Sequence, residues 1–342
     1  MSETWGRLKD MVRTKTEIKR ARLLSKTGRI EPGKSYFSAH INEMFLKHDR
    51  EWLSRFDPVV VVVSEHKYDS KDVIVPFIVG PEMIRKHVKD VPNGMAFYDT
   101  RVAGIHPYNG GQFALTIILA KVERVNYANE MLSFIEKTAG AFNIGETSID
   151  LTGHFKIAEA LMSGVRGLFG LKETTPIMGQ RMTYDHGSTP WFEAGTYAIV
   201  DKDIDKIPWE EIQVVDGRLY RSDKPFRDED FVLFSITAQE ERSDWRQLQF
   251  HSNFDAIVQT ALKPGDNSWE KAKAMFLSLY GELVTSPDIT WPHAQIVFDA
   301  LKAQMLEVKK RREGMQFLGG VTNDESQRKP KPPDAADDIM NW

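Results

Sequence analysis

The stretch VVVVVSEHKYDSKDVIVPFIV, Val59–Val79, decides the fold class. Two apolar, β-branched runs, Val59–Glu65 and Val73–Val79, flank the polar segment KYDSKD. β-Branched side chains are stiff at χ1 and pack well on a pleated surface, so two such runs around a polar turn predict a β-hairpin. Its strands pair antiparallel, unlike the alternating strand–helix order of a parallel α/β fold.

Downstream, Pro81–Val88 reads as a short helix. Met95–Val102 and Gln112–Glu123 read as two more strands joined by the loop GIHPYNGG, and Tyr127–Phe142 as a helix. A weaker boundary lies at Asn143–Gly153, followed by a helix over His154–Phe169. A second strand group comprises Met178–Tyr184, Gly195–Val200, Gln213–Tyr220 and Phe231–Thr237, with VDGR at Val215–Arg218 as a tight-turn signal. Helices are expected at Phe250–Leu262, Ser268–Leu283 and Pro292–Arg312, with Ser268 as an N-cap and Pro287 and Pro292 as punctuation.

Upstream, Lys34–Pro58 reads as a helix, because Ile41, Met44, Phe45, His48, Trp52 and Phe56 recur at three- and four-residue steps. On that stripe His48 is a core residue. Residues 1–34 read as a basic amphipathic helix and turn: Arg7, Lys9, Arg13, Lys15, Lys19, Arg20, Arg22, Lys26 and Arg29 outnumber Glu3, Asp10 and Glu17. From about Gly319 the apolar period is lost in a Pro-rich, charged segment, which predicts a disordered tail. The expected architecture is α+β: mixed modules over residues 35–150 and 151–318 with mainly antiparallel sheets and flanking helices, then the tail over 319–342.

Composition sets bounds. At 342 residues, 41% apolar and 27% charged, the chain can bury a sizeable core, and its net charge of −4 is too small to imply a polyanionic partner for the whole protein. The absence of cysteine excludes disulfides, thiolate nucleophiles and cysteine-ligated metal. No run approaches the roughly 20 apolar residues of a membrane span, and the start MSETWGRLKDMVRTK lacks the apolar block of a secretory signal. A cytoplasmic protein with no membrane role is the expectation.

One motif stands out by letter. Gly28–Ser35, GRIEPGKS, fits G-x-x-x-x-G-K-[ST], in which Gly28 and Gly33 shape a phosphate cradle, Lys34 neutralises phosphates and Ser35 binds Mg²⁺. That reading implies ATP or GTP with Mg²⁺, with Glu65 as a further metal ligand. Its context argues otherwise, since KRARLLSKT precedes it where a buried strand is required. The preferred reading is a Pro-Gly turn with Ser35 capping the next helix.

The histidines offer little. His40 and His48 lie eight positions apart, about 12 Å along a helix, too far to share a metal. His106, Tyr108 and Asn109 place an imidazole, a phenol and an amide on a glycine-rich loop, where binding residues gather, although Asn109-Gly110 also suits an ordinary turn. Asp185, His186 and Ser188 resemble a triad in composition, but triad members meet through the fold rather than within one pentapeptide. The acidic groups Asp228–Asp230 and Glu240-Glu241 read as solvated strand ends before they read as a cation site.

The ends carry the clearest functional signal. RKPKPP is followed by DAADDIMNW, in which Asp337 and Asp338 precede Ile339, Met340 and Trp342. In layout this tip resembles the tails of bacterial single-stranded DNA-binding proteins, where acids precede an apolar end that docks on partners. The expectation is that acids steer towards a basic patch and an aromatic fills a pocket on another protein. The basic residues Arg13, Lys19, Arg20 and Arg22 form a second contact surface, for which nucleic acid is one partner class. The leading functional expectation is a non-enzymatic scaffold or adaptor in a multi-protein bacterial assembly, with a defence or regulatory system as its setting. A nucleotide-binding enzyme and a nucleic-acid-binding protein are the alternatives.

Overall fold

The computed structural model describes residues 28–51, 54–69, 71–80, 96–123, 174–184, 192–202, 206–264 and 267–319. The expected elements over 1–27, Pro81–Val88, Tyr127–Phe142 and His154–Phe169, the tail beyond 319, and Asp185, His186 and Ser188 lie outside these residues.

The described strands are β1 (Tyr36–Phe45), β2 (Arg50–Glu51), β3 (Ser54–Tyr68), β4 (Lys71–Val79), β5 (Ala96–Pro107), β6 (Phe113–Glu123), β7 (Thr174–Tyr184), β8 (Gly195–Val200), β9 (Ile212–Val215), β10 (Arg218–Arg221), β11 (Lys224–Pro225) and β12 (Phe231–Gln239). The helices are α1 (Gln249–Leu262), α2 (Ser268–Thr285) and α3 (Trp291–Gly319). The fold is α+β, and every pairing among the described strands is antiparallel.

Two large sheets and one small sheet result. The first has the order β5-β1-β12-β8. The second is centred on β3, which pairs with β4 and β6, with β7 beyond β6 and the short β2 on the opening residues of β3. The hairpin expected from Val59–Val79 is therefore present, and its pairing runs on to Tyr68↔Lys71.

The large sheets share one core. Phe37, Ala39 and Ile41 from β1, with Val232, Phe234 and Ile236 from β12, meet Val60 and Val62 from β3 and Leu115, Ile117 and Leu119 from β6. The alternate residues of β8 and β12, Ala198, Val200, Phe231 and Leu233, face the other way. They form a second cluster with Ile212, Leu219 and Phe226 around the small sheet β11-β10-β9. The turn between β9 and β10 is the expected one, with Asp216 and Gly217 at φ 49° and 71°.

Lys34–Pro58 is not a helix. It forms β1, β2 and the start of β3, and His48 is exposed. Two physical causes produced the misleading stripe. β1 is buried on both faces, so polar residues do not mark every second position. A β-bulge between Ile41 and Glu43 then shifts the alternation, which places Ile41 and Met44, three residues apart, on the same core face.

The expected boundary near residue 150 does not divide the sheets, because β1 pairs with β12 and β6 with β7. By packing, the described residues up to Trp245, with Val284–Ala294, make one unit. The described residues of Arg246–Leu283 and of 295–319 make the other.

In the second unit, Phe254 and Ile257 of α1, Phe276 and Leu279 of α2, and Phe298 and Leu301 of α3 are buried at helical spacing. Phe276 stacks on Phe298 with ring centroids 4.9 Å apart. All three helices were expected at these positions. Ser268 opens α2, and its hydroxyl donates to the Lys263 carbonyl at 2.8 Å.

Candidate functional site

The alternation of β3 places Ser64 and His66 on the sandwich side of the second sheet, in line with Val60 and Val62. His66 is only 6% exposed, and neither ring nitrogen has a hydrogen-bond partner among the described residues. Across the sandwich, His106 of β5 stacks on it with centroids 4.3 Å apart and planes at 30°. Phe37 of β1 closes on both rings, at 6.2 Å from His66 and 6.1 Å from His106.

Burial, and then the neighbouring His106, push the His66 pKa down to about 3. Burial, and then Arg242, also lower that of His106, against the pull of Asp288. The pair is thus two neutral imidazoles bridging the two sheets at neutral pH.

Beside the pair lies a network of ionised and phenolic groups. The Tyr68 hydroxyl, 6.1 Å ring to ring from His106, donates to Asp288 Oδ1 at 3.0 Å. Burial, followed by the Asp288 acceptor, pushes its pKa up to about 12. Arg242 grips Asp244 through Nε at 2.7 Å and Nη2 at 3.0 Å, while its Nη1 donates to the Asp288 carbonyl at 2.9 Å. That bidentate geometry holds the Asp244 carboxyl below the usual range.

The Thr290 amide donates to the Tyr36 hydroxyl at 2.9 Å, which leaves the hydroxyl proton for His293 Nδ1, also 2.9 Å away. Nδ1 also accepts from the Arg242 amide at 3.4 Å, so His293 carries its proton on Nε2. Tyr36, Tyr68 and Arg242 together pin the connector residues Asp288 and Thr290 and, through His293, the first turn of α3. Chemically, the arrangement offers a half-buried neutral imidazole, His106, beside a phenol and a guanidinium that are each already engaged.

Of the residues expected at a loop site, His106 does belong to this cluster, although it sits on a strand rather than on a loop. Tyr108 is buried among aromatic rings, 5.0 Å from Phe192, with its hydroxyl on the Gly111 carbonyl, and Asn109 is exposed. His40 makes a 2.7 Å hydrogen bond to Ser38.

Gly28–Ser35 forms a brace along the sandwich edge. Ile30 and Gly28 exchange backbone hydrogen bonds with Phe192 and Ala194, and Gly33, at φ 73°, donates to the Tyr108 carbonyl. The amides of Lys34 and Ser35 both donate to the Glu31 carbonyl, and the Lys34 ammonium lies 2.9 Å from the Glu31 carboxylate. Ser35 accepts from the Glu31 amide and leads into β1, so it caps no helix.

Glu65 is held by Arg181 through two bonds of 3.1 and 2.7 Å. Asp228 pairs with Arg221, and Glu229 with Lys47 and Lys202. Among the described residues, no group of three or more His, Asp or Glu is placed to hold a metal ion. Nor is any helix long and apolar enough to cross a membrane. Arg13, Lys19, Arg20, Arg22 and the tip Asp337–Trp342 lie outside the described residues.

His66, Tyr68, Arg242 and Asp288 escaped the sequence reading. His66 and Tyr68 fall where the sequence pattern predicts the end of a strand and its polar turn. Arg242 and Asp288 lie far away in the chain, and only the fold brings them there. No protein-family model, curated protein or solved structure matches this chain.

Proposed function

We propose that the chain is a non-enzymatic adaptor or scaffold of a multi-protein bacterial assembly in the cytoplasm, in a defence or regulatory setting. It docks on another protein through Asp337, Asp338, Ile339, Met340 and Trp342. The observation that carries this reading is the composition of that tip, in which acids precede two aliphatic side chains and a tryptophan. Tryptophan is the residue type most often found to anchor a protein interface, and flanking charge speeds encounter.

The polar cluster of the sandwich supports the same reading. Arg242, Asp244 and Asp288 are joined to one another and to the connector, which is the work of a brace. Arg13, Lys19, Arg20 and Arg22 supply a second, electrostatic contact, for which nucleic acid is one partner class.

The test is to isolate the partner from the native host with the full chain and then measure its affinity for variants. Trp342→Ala is expected to weaken binding about ten-fold or more, the effect of losing an anchor residue. The segment 319–342 fused to an inert carrier should retain the partner. Undiminished binding by a chain ending at Leu318 would overturn the reading.

A further inference from the structure

At one end of the helical unit, Arg312 of α3 reaches the Ala261 carbonyl at 2.9 Å and the Ser268 hydroxyl at 2.6 Å. These two bonds bring the last turn of α1 and the first turn of α2 against the basic part of α3. Lys309 and Arg311 flank Arg312 on the helix, and Lys263 follows α1 directly. The acids of these segments are Asp266, Glu270, Glu307 and Glu313, fewer than the cations, and Glu307 is engaged by Lys310 at 2.9 Å. Among these charges Leu262 stands 37% exposed. The N-terminus of α2, an 18-residue helix, adds its partial positive charge at the same place.

We propose that this basic end, with Leu262 at its centre, is the resting seat of the chain's own tip, Asp337–Trp342. The tip is then covered within one molecule until a partner takes it. The proposal rests on the reading of the tip as a docking peptide. Charge and composition match: Asp337 and Asp338 meet Lys263, Lys309 and Arg311, and the apolar residues behind the acids meet Leu262.

Reach is sufficient. Lys309 lies about 15 Å back along the helix from Gly319, and a flexible chain of the length separating Gly319 from Asp337 would span roughly 23 Å. The intervening RKPKPP is itself basic and is repelled by the seat, so the acids beyond it settle there. A seat held mainly by exposed charge is weak enough for a partner to displace.

The chain has no cysteine, so Met340→Cys in the full-length protein gives a unique attachment point for a benzophenone photocrosslinker. The expected crosslinks join residue 340 to peptides spanning 262–271 or 309–312 of the same chain, with a yield unchanged by dilution. Combining Lys263→Glu, Lys309→Glu and Arg311→Glu should lower that yield about ten-fold, three exposed pairs' worth. Salt at about 0.5 M should act in the same direction.

Crosslinks mapping elsewhere, a yield indifferent to the charge reversals, or crosslinks only between chains would overturn the proposal, the last pointing to a second copy as the occupant. A circular dichroism melt of the triple variant checks that it is folded. The two readings fail separately. If the crosslink forms but Trp342→Ala leaves partner binding intact, the adaptor reading fails and the seat stands. If Trp342→Ala weakens partner binding but no intrachain crosslink forms, the seat alone fails.

Discussion

Glu43 and His66 are both ionisable side chains closed off from water in the same sandwich, and they are handled in opposite ways. Glu43 is fully buried just past the bulge in β1 and accepts from the Leu219 amide and from Arg227, each at 2.8 Å. Arg227 in turn lies 4.6 Å above the Phe45 ring. Burial still holds the Glu43 carboxyl above its usual range, because loss of water outweighs those hydrogen bonds. His66 is tied to nothing among the described residues and leans on another imidazole. A carboxylate cannot give up its charge at neutral pH without taking a proton, so it must be fastened, and the fastening joins β1 to β10. An imidazole that is neutral at pH 7 can be buried untied, and the cost appears only on acidification.

Breaking the fastened member has the largest expected effect. Glu43→Ala leaves the Arg227 guanidinium and the Leu219 amide without their acceptor, which should cost about 3–5 kcal/mol. The measurement is the urea midpoint at constant m-value. Glu43→Gln keeps the shape and one acceptor and should cost less. The two also separate by pH. A carboxyl whose folded pKa is raised binds its proton more readily in the native state, so its contribution falls as pH rises from the ordinary value through the raised one. Glu43→Gln should remove that decline, and an alanine variant as stable as the wild type would show that the clasp holds nothing.

The untied member is expected to act with the opposite sign, and only on acidification. Below the ordinary histidine pKa the unfolded chain takes up a proton that native His66 refuses until about pH 3. Stability should therefore fall on acidification by on the order of 1 kcal/mol per pH unit, present in full above about pH 6.5. His106 acts in the same direction. His66→Phe should be close to neutral at pH 7, since it replaces an unpaired polar ring with an apolar one of similar shape, and it should flatten the acid slope. Unfolding free energies between pH 7 and pH 4 decide the matter. An unchanged slope would place the acid sensitivity in other groups.

The same contrast explains what the sequence revealed. Local chemistry was legible. The β-branched runs of Val59–Val79, the Asp216-Gly217 turn and the three- and four-residue spacing of Phe250, Phe254 and Ile257 each reflect forces acting within a few residues. Pairing between β1 and β12 depends on residues nearly two hundred positions apart, and nothing local encodes it. The bulge in β1 turned a strand's period into a helix's. At the site, the glycine-rich setting of His106 was the one usable signal. Gly104 shows why it matters: its φ is +88°, and a Cβ there would collide with the Phe37 carbonyl, so only glycine lets β5 approach β1 just before His106. The imidazole that stacks on His106 was hidden in what looked like a strand end.

The smallest expected effect belongs to the stretch with the most suggestive letters. Lys34 and Glu31 form an exposed pair, with side chains 69% and 52% accessible. Such pairs contribute little, so Lys34→Ala should change stability by no more than about 0.5 kcal/mol. It should also leave the chain's behaviour towards ATP and GTP unchanged in calorimetric titration. A phosphate cradle needs backbone amides aimed at the ligand, and here those of Gly33, Lys34 and Ser35 donate to the carbonyls of Tyr108 and Glu31. Binding of either nucleotide by the wild type that disappears with Lys34→Ala would mean that the loop opens these bonds for a ligand. The brace at Gly28–Ser35 would then join the reactive parts of the molecule, leaving Glu43 and His66 to hold it together.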